Sequence, residues 1–279
     1  MLTVIIPAHN ESQVIGRLLD RLAGGAGHSD FEIIVVANGC TDDTAAIAAA
    51  YGYPVRLIEI PEPSKRNALK VGDQAATGFP RVYLDADVEL DAAGVLALAG
   101  ALDHPGMLAA GPIRDVDLTR SAWPVRWYYD VWQRLPEVRQ GLFGRGAVAV
   151  NEAGHRRIDA LPPLLADDLA ASLTFAPGER RVVPTARARV HAPRGLADLV
   201  RRRVRVVTGV NQIERSAQAP RSSERTRRRD LLAILRSNPM LAPKITIFLA
   251  VTIVARRKGK AAVRKGDYTT WLRDESSRH

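Results

Sequence analysis

The chain has 279 residues, 46% of them hydrophobic and 25% charged, enough to bury one large core and too apolar overall for a disordered protein. Its single cysteine, Cys40, excludes an intramolecular disulfide and points to a reducing compartment. The opening Met1–Pro7 lacks the basic flank and apolar core of a signal peptide. The expected location is therefore cytoplasmic. The net charge of +10 is uneven: residues 194–229 hold eleven arginines against three acids, and a second basic block runs from Arg256 to Lys260. Such clusters suit an anionic partner, with a lipid surface, a phosphorylated substrate and nucleic acid all electrostatically acceptable, or they form a plain solvated face.

In chain order, Leu2–Ile6 reads as a buried parallel strand. Asn10-Glu11-Ser12 opens an amphipathic helix with Val14, Ile15, Leu18, Leu19 and Leu22 on one face, and the stretch Gly24–Gly27 ends it. Phe31–Ala37 is a second strand. The loop from Asn38 to Asp43 leads into an alanine-rich helix, with Thr41 or Asp42 as N-cap. Val55–Ile60 is a third strand, broken by Pro61 and Pro63. Lys65–Ala76 is a helix, and Val82–Leu84 a fourth strand. Strands and helices alternating at this spacing predict an α/β domain whose mostly parallel central sheet is covered on both faces.

Ligands of such sheets bind at the carboxyl ends of the strands. Pro7–Glu11, Asn38–Asp42 and Asp85-Ala86-Asp87 all fall at that edge. On a continuing strand Asp85 and Asp87 would point to one side, and like charges that close call for a cation between them. A turn-capping pair is the bland alternative. Neither a Gly-x-Gly-x-x-Gly nor a Gly-x-x-x-x-Gly-Lys follows the first strand, so common dinucleotide and triphosphate loops are absent. Further on, Trp123, Trp127, Tyr128, Tyr129 and Trp132 crowd one stretch, Gly144-Arg145-Gly146 precedes the strand-like Ala147–Val150, and Asp167-Asp168-Leu169 begins a helix. From Arg194 the composition is basic and helical. Between Lys244 and Arg256 lies the longest apolar run, short of the ~20 residues needed to span a bilayer. It is either a buried helix or one dipping into an anionic membrane surface with Arg256, Arg257 and Lys258 at the headgroups.

Several of these segments together resemble family 2 glycosyltransferases. Val4–Glu11 resembles that family's first strand and loop, Glu32–Asp42 its second strand and nucleoside-contacting loop, and Ser64–Leu69 its lysine-containing helix start. Asp85-Ala86-Asp87 resembles its metal-binding Asp-x-Asp. Gly144-Arg145-Gly146 with Asn151–Gly154 resembles its donor- and acceptor-side loop, and Asp167-Asp168-Leu169 the acidic pair that carries its catalytic base. The resemblance covers residues 2 to about 190. It implies a GT-A fold, a Rossmann-like nucleotide-diphospho-sugar transferase domain over 1–193, followed by a basic helical extension over 194–279 that is a candidate for peripheral membrane association.

It also implies an inverting transfer of sugar from a nucleoside-diphosphate sugar to a hydroxyl acceptor, whether glycan, lipid-linked or small molecule. Pro7, Ala8, Asn10, Glu11, Asn38, Asp42, Lys65 and Asp85 would bind the donor nucleotide. Gly144, Arg145, Asp167 and Trp127 would meet donor sugar or acceptor, although core packing accounts for most of the aromatic rings. Asp168 would be the general base, since its neighbour Asp167 tends to raise one of the two pKa values; helix capping is its structural alternative. Asp87 would bind Mn²⁺ or Mg²⁺ directly, with His191 as a second ligand, because hard oxygen donors with open positions suit those ions. Lys65 or Arg66 would face the diphosphate.

The chain departs from the pattern at Ala37, where the family often has Asp. Uridine is the family's usual nucleobase; guanosine and thymidine stay open. Three rivals are weaker. A sugar-nucleotide pyrophosphorylase would want a glycine-rich loop after the first strand. A nucleic-acid-binding protein using the arginine-rich segment would need no Asp pair, so no nucleic-acid partner is expected. A catalytically silent relative would not need both Asp87 and Asp168.

Overall fold

A computed structural model describes residues 1–24, 31–161, 172, 174–215 and 226–264. Gly25-Ala26-Gly27 and the pair Asp167-Asp168 lie outside the described residues. The strands are β1 (Leu2–Ala8), β2 (Phe31–Asn38), β3 (Val55–Ile60), β4 (Arg81–Leu84), β5 (Val88–Glu89), β6 (Ala109–Asp117), β7 (Ala147–Val150) and β8 (Arg180–His191). They form one sheet in the order β3-β2-β1-β4-β7-β6-β8-β5. The β3-β2-β1-β4 half is parallel; β7 lies antiparallel between β4 and β6, β6 and β8 run parallel, and β5 pairs antiparallel with β8.

The helices are α1 (Ile15–Ala23), α2 (Thr44–Ala49), α3 (Lys65–Ala75), α4 (Ala92–Gly100), α5 (Trp123–Trp132), α6 (Pro136–Gln140), α7 (Glu152–Asp159), α8 (Leu196–Arg215), α9 (Arg228–Ser237) and α10 (Ala242–Arg264). Successive side chains of a strand face opposite sides, and the apolar runs of β1 and β2 use both. Val4, Ile6, Ile33 and Val35 share a core with α1 and α4 residues such as Leu18, Leu19, Val95 and Leu98. Ile34 and Val36 turn the other way, onto Ala68 of α3. There Gly72 lets α3 approach β1 so closely that a Cβ would stand 2.5 Å from Ile5 Cγ2.

Three local expectations change. The first helix begins at Ile15, not at Asn10-Glu11-Ser12. Asn10 sits at φ 51°, a left-handed conformation that cannot continue a helix, and its side chain is engaged with the next loop. The second helix starts at Thr44 with Asp43 in the cap position and no side-chain cap bond, while Asp42 accepts from the Thr44 amide. The Asp pair does not continue the strand: β4 ends at Leu84, and the Val88 amide donates to the Asp85 carbonyl at 3.2 Å, closing a turn.

A second core lies beyond the sheet. Val125, Tyr128, Tyr129 and Val131 of α5 pack with Leu199 of α8, Ile234 of α9 and Ile245, Phe248 and Val251 of α10. The Tyr128 and Phe248 rings stack at 5.1 Å, and Lys244 Nζ pairs with Asp130 at 2.5 Å. The buried reading of the apolar helix therefore holds for one face. Its length needs correcting: Pro239–Ala261, 23 residues, is long and apolar enough by composition to cross a membrane, because Pro239–Leu241 and the residues past Arg256 continue the helix.

Candidate active site

The three loops at the carboxyl edge meet. The parallel β1–β2 register puts Ala8 beside Ala37, so the loops leave the sheet side by side. The Asn38 amide donates to the Ala8 carbonyl at 2.7 Å, and His9 Nδ1 lies 2.6 Å from the Asn38 carbonyl. Asn10 Oδ1 accepts from the Thr41 amide at 2.8 Å, the Glu11 amide donates to Thr44 Oγ1 at 2.7 Å, and the Ser12 amide donates to Asp42 Oδ2 at 3.1 Å. Partial burial works against charge on Asp42, but the bonds from Thr44 and Ser12 hold its carboxyl below the usual range.

These bonds revise some roles. Asn38 is 3% exposed and acts as a strut between loops. Pro7, Ala8 and Glu11 are buried, so at the loop mouth Pro7 and Ala8 present chiefly backbone. Asp42 and Asn10 remain at the surface of the paired loops.

The third loop joins them through α3. Ser64 caps that helix by accepting from the Asn67 amide, which sets Lys65 in its first turn. Lys65 Nζ reaches Asp85 Oδ1 at 2.6 Å. The Asp85 amide donates to the Gly146 carbonyl at 2.8 Å, fastening the Asp turn to the Gly144–Gly146 loop. A cavity of about 150 Å³ opens beside this pair, bordered by Pro7, Lys65, Asp85, Gly146, Tyr83 and His155. At its floor Tyr83 Oη lies 2.9 Å from Asp73 Oδ1 and 2.8 Å from His155 Nδ1, and Arg81 donates to Asp73 at 2.7 Å. Burial and the nearby Asp73 push the Tyr83 phenol far above its usual range, so it stays neutral.

His191 ends β8 between β6 and the Asp turn. Asp87 lies in the turn just before β5, whose Val88 pairs with Val190, the residue before His191, and on the other side His191 pairs with Asp117. His191 Nε2 is 3.2 Å from Glu89 Oε1, and Nδ1 is 3.4 Å from Asp117 Oδ2. Glu89, nearly buried, also meets Arg17 at 3.3 Å and Arg21 at 2.8 Å. Bonds from the hydroxyl and amide of Thr119, with Arg189 beside it, hold the Asp117 carboxyl down at about 2.

Among the described residues no group of three or more His, Cys, Asp or Glu is placed to hold a metal. A carboxylate and an imidazole are donor types that fit an ion whose other positions are filled by water and substrate phosphate, which is how Mg²⁺-like ions commonly sit.

Arg145 lies inside the fold. Expected against donor sugar, it is 3% exposed, and its guanidinium donates to the carbonyls of Gly141, Pro112, Val138 and Arg139. The loop is turned by Gly144 and Gly146, at φ 61° and 66°, so a side chain at 145 faces the core. Arg114 braces it from outside, donating to the Gly144 and Phe143 carbonyls and lying 4.5 Å over the Trp132 ring. Burial, with Arg145 and Arg202 nearby, lowers the Arg114 guanidinium to about 9. Trp127 is half-buried and meets the exposed Trp123 edge-on at 4.9 Å.

Sequence reasoning missed Tyr83, Asp73, His155, Arg114, Asp117 and Glu89. Only Glu89 carried a signal, two residues beyond Asp87 on an alternating strand. The others depend on strand pairings made far along the chain.

The Glycosyl transferase family 2 model matches residues 3–158. An uncharacterized glycosyltransferase of Mycobacterium tuberculosis is 32% identical over 141 residues, 48% of this chain and 62% of the relative. The chain thus spans under two thirds of that relative's length. The dolichyl-phosphate β-glucosyltransferase of Drosophila melanogaster is 32% identical over 99 residues, 31% of this chain and 30% of the relative. Among solved structures, a mannosyltransferase from Pyrobaculum calidifontis, in complex with GDP-Man and Mn²⁺, superposes with TM-score 0.63 at 20% identity, over 95% of this chain and 79% of that one. Glucosyl-3-phosphoglycerate synthase from M. tuberculosis, in complex with Mn²⁺, UDP and glucosyl-3-phosphoglycerate, gives 0.54 at 23% identity, over 76% and 79%. These two likenesses establish the GT-A fold.

Proposed function

The chain belongs to glycosyl transferase family 2, and from that premise we propose that it transfers a sugar, with inversion, from a nucleoside-diphosphate sugar to a hydroxyl acceptor. The observation that carries the reading is the convergence of Pro7–Glu11, Asn38–Asp42 and the Lys65–Asp85 pair on one carboxyl edge beside a cavity. The first two loops form the nucleoside slot. Lys65 supplies positive charge where the diphosphate enters, and Asp85 holds that ammonium at 2.6 Å. Asp87 and His191 would hold Mn²⁺ or Mg²⁺, which would offset the charge accumulating on the leaving diphosphate.

Asp168 takes the proton from the acceptor hydroxyl as its oxygen attacks the anomeric carbon opposite the departing diphosphate; one displacement inverts the configuration. UDP is the first donor nucleotide to test. The fold neighbours carry GDP-Man in one case and UDP in the other, and Ala37 removes a carboxylate from the slot, so GDP and TDP belong in the same screen. We assign this chemistry to residues 1–193 and treat 194–279 as a basic extension.

Calorimetric titration of UDP, GDP and TDP, with and without Mn²⁺, tests the donor site. One nucleotide should bind, requiring both Mn²⁺ and Asp87, with Asp87→Ala losing it. Asp168→Asn should bind that nucleotide as wild type yet give no transfer. Failure of all three nucleotides to bind would overturn the reading.

A further inference from the structure

The outer face of α10 is apolar along one half and basic along the next. Ile245, Phe248, Val251, Ala255 and Gly259 recur at helical spacing on the inner face, against α5 and α8. On the opposite side Leu249, Ile253 and Val254 are 40%, 49% and 40% exposed, with Ala250 between them. Met240, at the turn into the helix, is 83% exposed. The same outward face continues into Arg256, Arg257 and Lys260, all exposed, with Lys258 beside them. The helix holds six basic residues and no acid.

We propose that this face docks the protein on an anionic lipid bilayer, with Met240, Leu249, Ile253 and Val254 in the acyl boundary and Arg256, Arg257 and Lys260 at the headgroups. The inference is independent of the sugar-transfer reading. A helix whose other face is fixed to a protein can lie in the interface plane without giving up its packing. A spanning orientation would instead strip Ile245, Phe248 and Val251 from α5 and α8 and break the Lys244–Asp130 pair. Charge chooses the bilayer over a second copy of this chain. A copy would bring the same acid-free helix and a net charge of +10, whereas an anionic bilayer supplies hydrocarbon and negative charge at one surface.

Co-sedimentation of the full chain with phosphatidylcholine vesicles, with and without phosphatidylglycerol, tests this without any donor or acceptor. Binding should need phosphatidylglycerol and weaken with salt. Leu249→Gln with Ile253→Gln, and separately Arg256→Gln with Arg257→Gln, should each lower partitioning by about tenfold or more. Thermal midpoints should hold, because these side chains point outward. No binding to anionic vesicles, binding that ignores both double variants, or self-association abolished by Ile253→Gln in place of vesicle binding would each overturn the proposal. Loss of vesicle binding with nucleotide binding intact would leave the donor-site reading standing.

Discussion

Arg145 and Lys65 are both cations in motif segments, and their surroundings assign them opposite work. From the turn that carries Gly144 and Gly146, the Arg145 guanidinium satisfies four backbone carbonyls, of Pro112 in β6, Val138 and Arg139 in α6, and Gly141. Methionine there would leave those carbonyls buried and short of donors, at a cost of roughly 3 kcal/mol. Arg145→Met should therefore lower the urea midpoint sharply while UDP affinity in the surviving folded protein changes little. Unchanged stability with weakened sugar-nucleotide binding would return Arg145 to the donor side. Lys65 is about one third exposed and pairs with Asp85 at the cavity mouth, so its removal costs little stability. Lys65→Met should keep the thermal midpoint within a few degrees and weaken nucleoside-diphosphate binding by about tenfold or more, measured by calorimetry. If binding is unaffected, the diphosphate does not sit at Lys65.

At the scale of elements, the parallel half of the sheet was legible because each of its strands is a short apolar run between turn signals. β1 to β4, α1 and α3 fall within a few residues of their expected positions. β6 and β8 were not, for a physical reason: β8 alternates Val183, Ala186 and Ala188 inward with exposed polar residues and is interrupted by Pro184, so its apolar signal is thin. The two strands pair chiefly with each other, across a register shift at Pro112–Ile113. The loops of the candidate site were legible as polar segments at strand ends, but which loop residues are struts was not, because Asn38 and Arg145 face backbone groups brought in by other strands.

Between elements, Glu32 ties three segments. Its Oε1 accepts from the Thr3 hydroxyl at 2.7 Å and from the Thr77 amide and hydroxyl at 3.0 and 2.9 Å. Partial burial disfavours its charge, but those bonds and Arg56 outweigh it, so the carboxyl sits below its ordinary value of 4.5. A carboxyl depressed on folding stabilises above its unfolded pKa, and that stability is lost as pH falls through the folded pKa. Glu32→Gln should therefore cost on the order of 1 kcal/mol at neutral pH and nothing in strong acid, flattening stability against pH on the acid side of 4.5. Urea midpoints measured from neutral pH downward for both proteins check it; parallel curves would mean Glu32 has the same pKa folded and unfolded.

Among the described residues, the core beneath β1 and β2 and the core around α5 lie on one sheet. α5 lies within the first 193 residues, yet its buried side chains Val125, Tyr128 and Val131 pack against α8 and α10. The same second core includes Ala192, the residue after His191, so the basic helices pack beside the strand end that carries the proposed metal ligand. Units sharing that much apolar surface unfold together, since neither side keeps its core once the other has gone. Phe248 is the place to test this: it is 2% exposed and stacked on Tyr128, itself 1% exposed. Phe248→Ala should cost about 3 kcal/mol through lost burial and the cavity left behind. In scanning calorimetry the expected outcome is one transition moved down as a whole by roughly 6 °C. Two transitions, only one of them shifted, would mean that α8 to α10 fold as a separate unit. In that case the packing against α5 is a docking contact, and His191 would be held in place by β5, β6 and Glu89 alone.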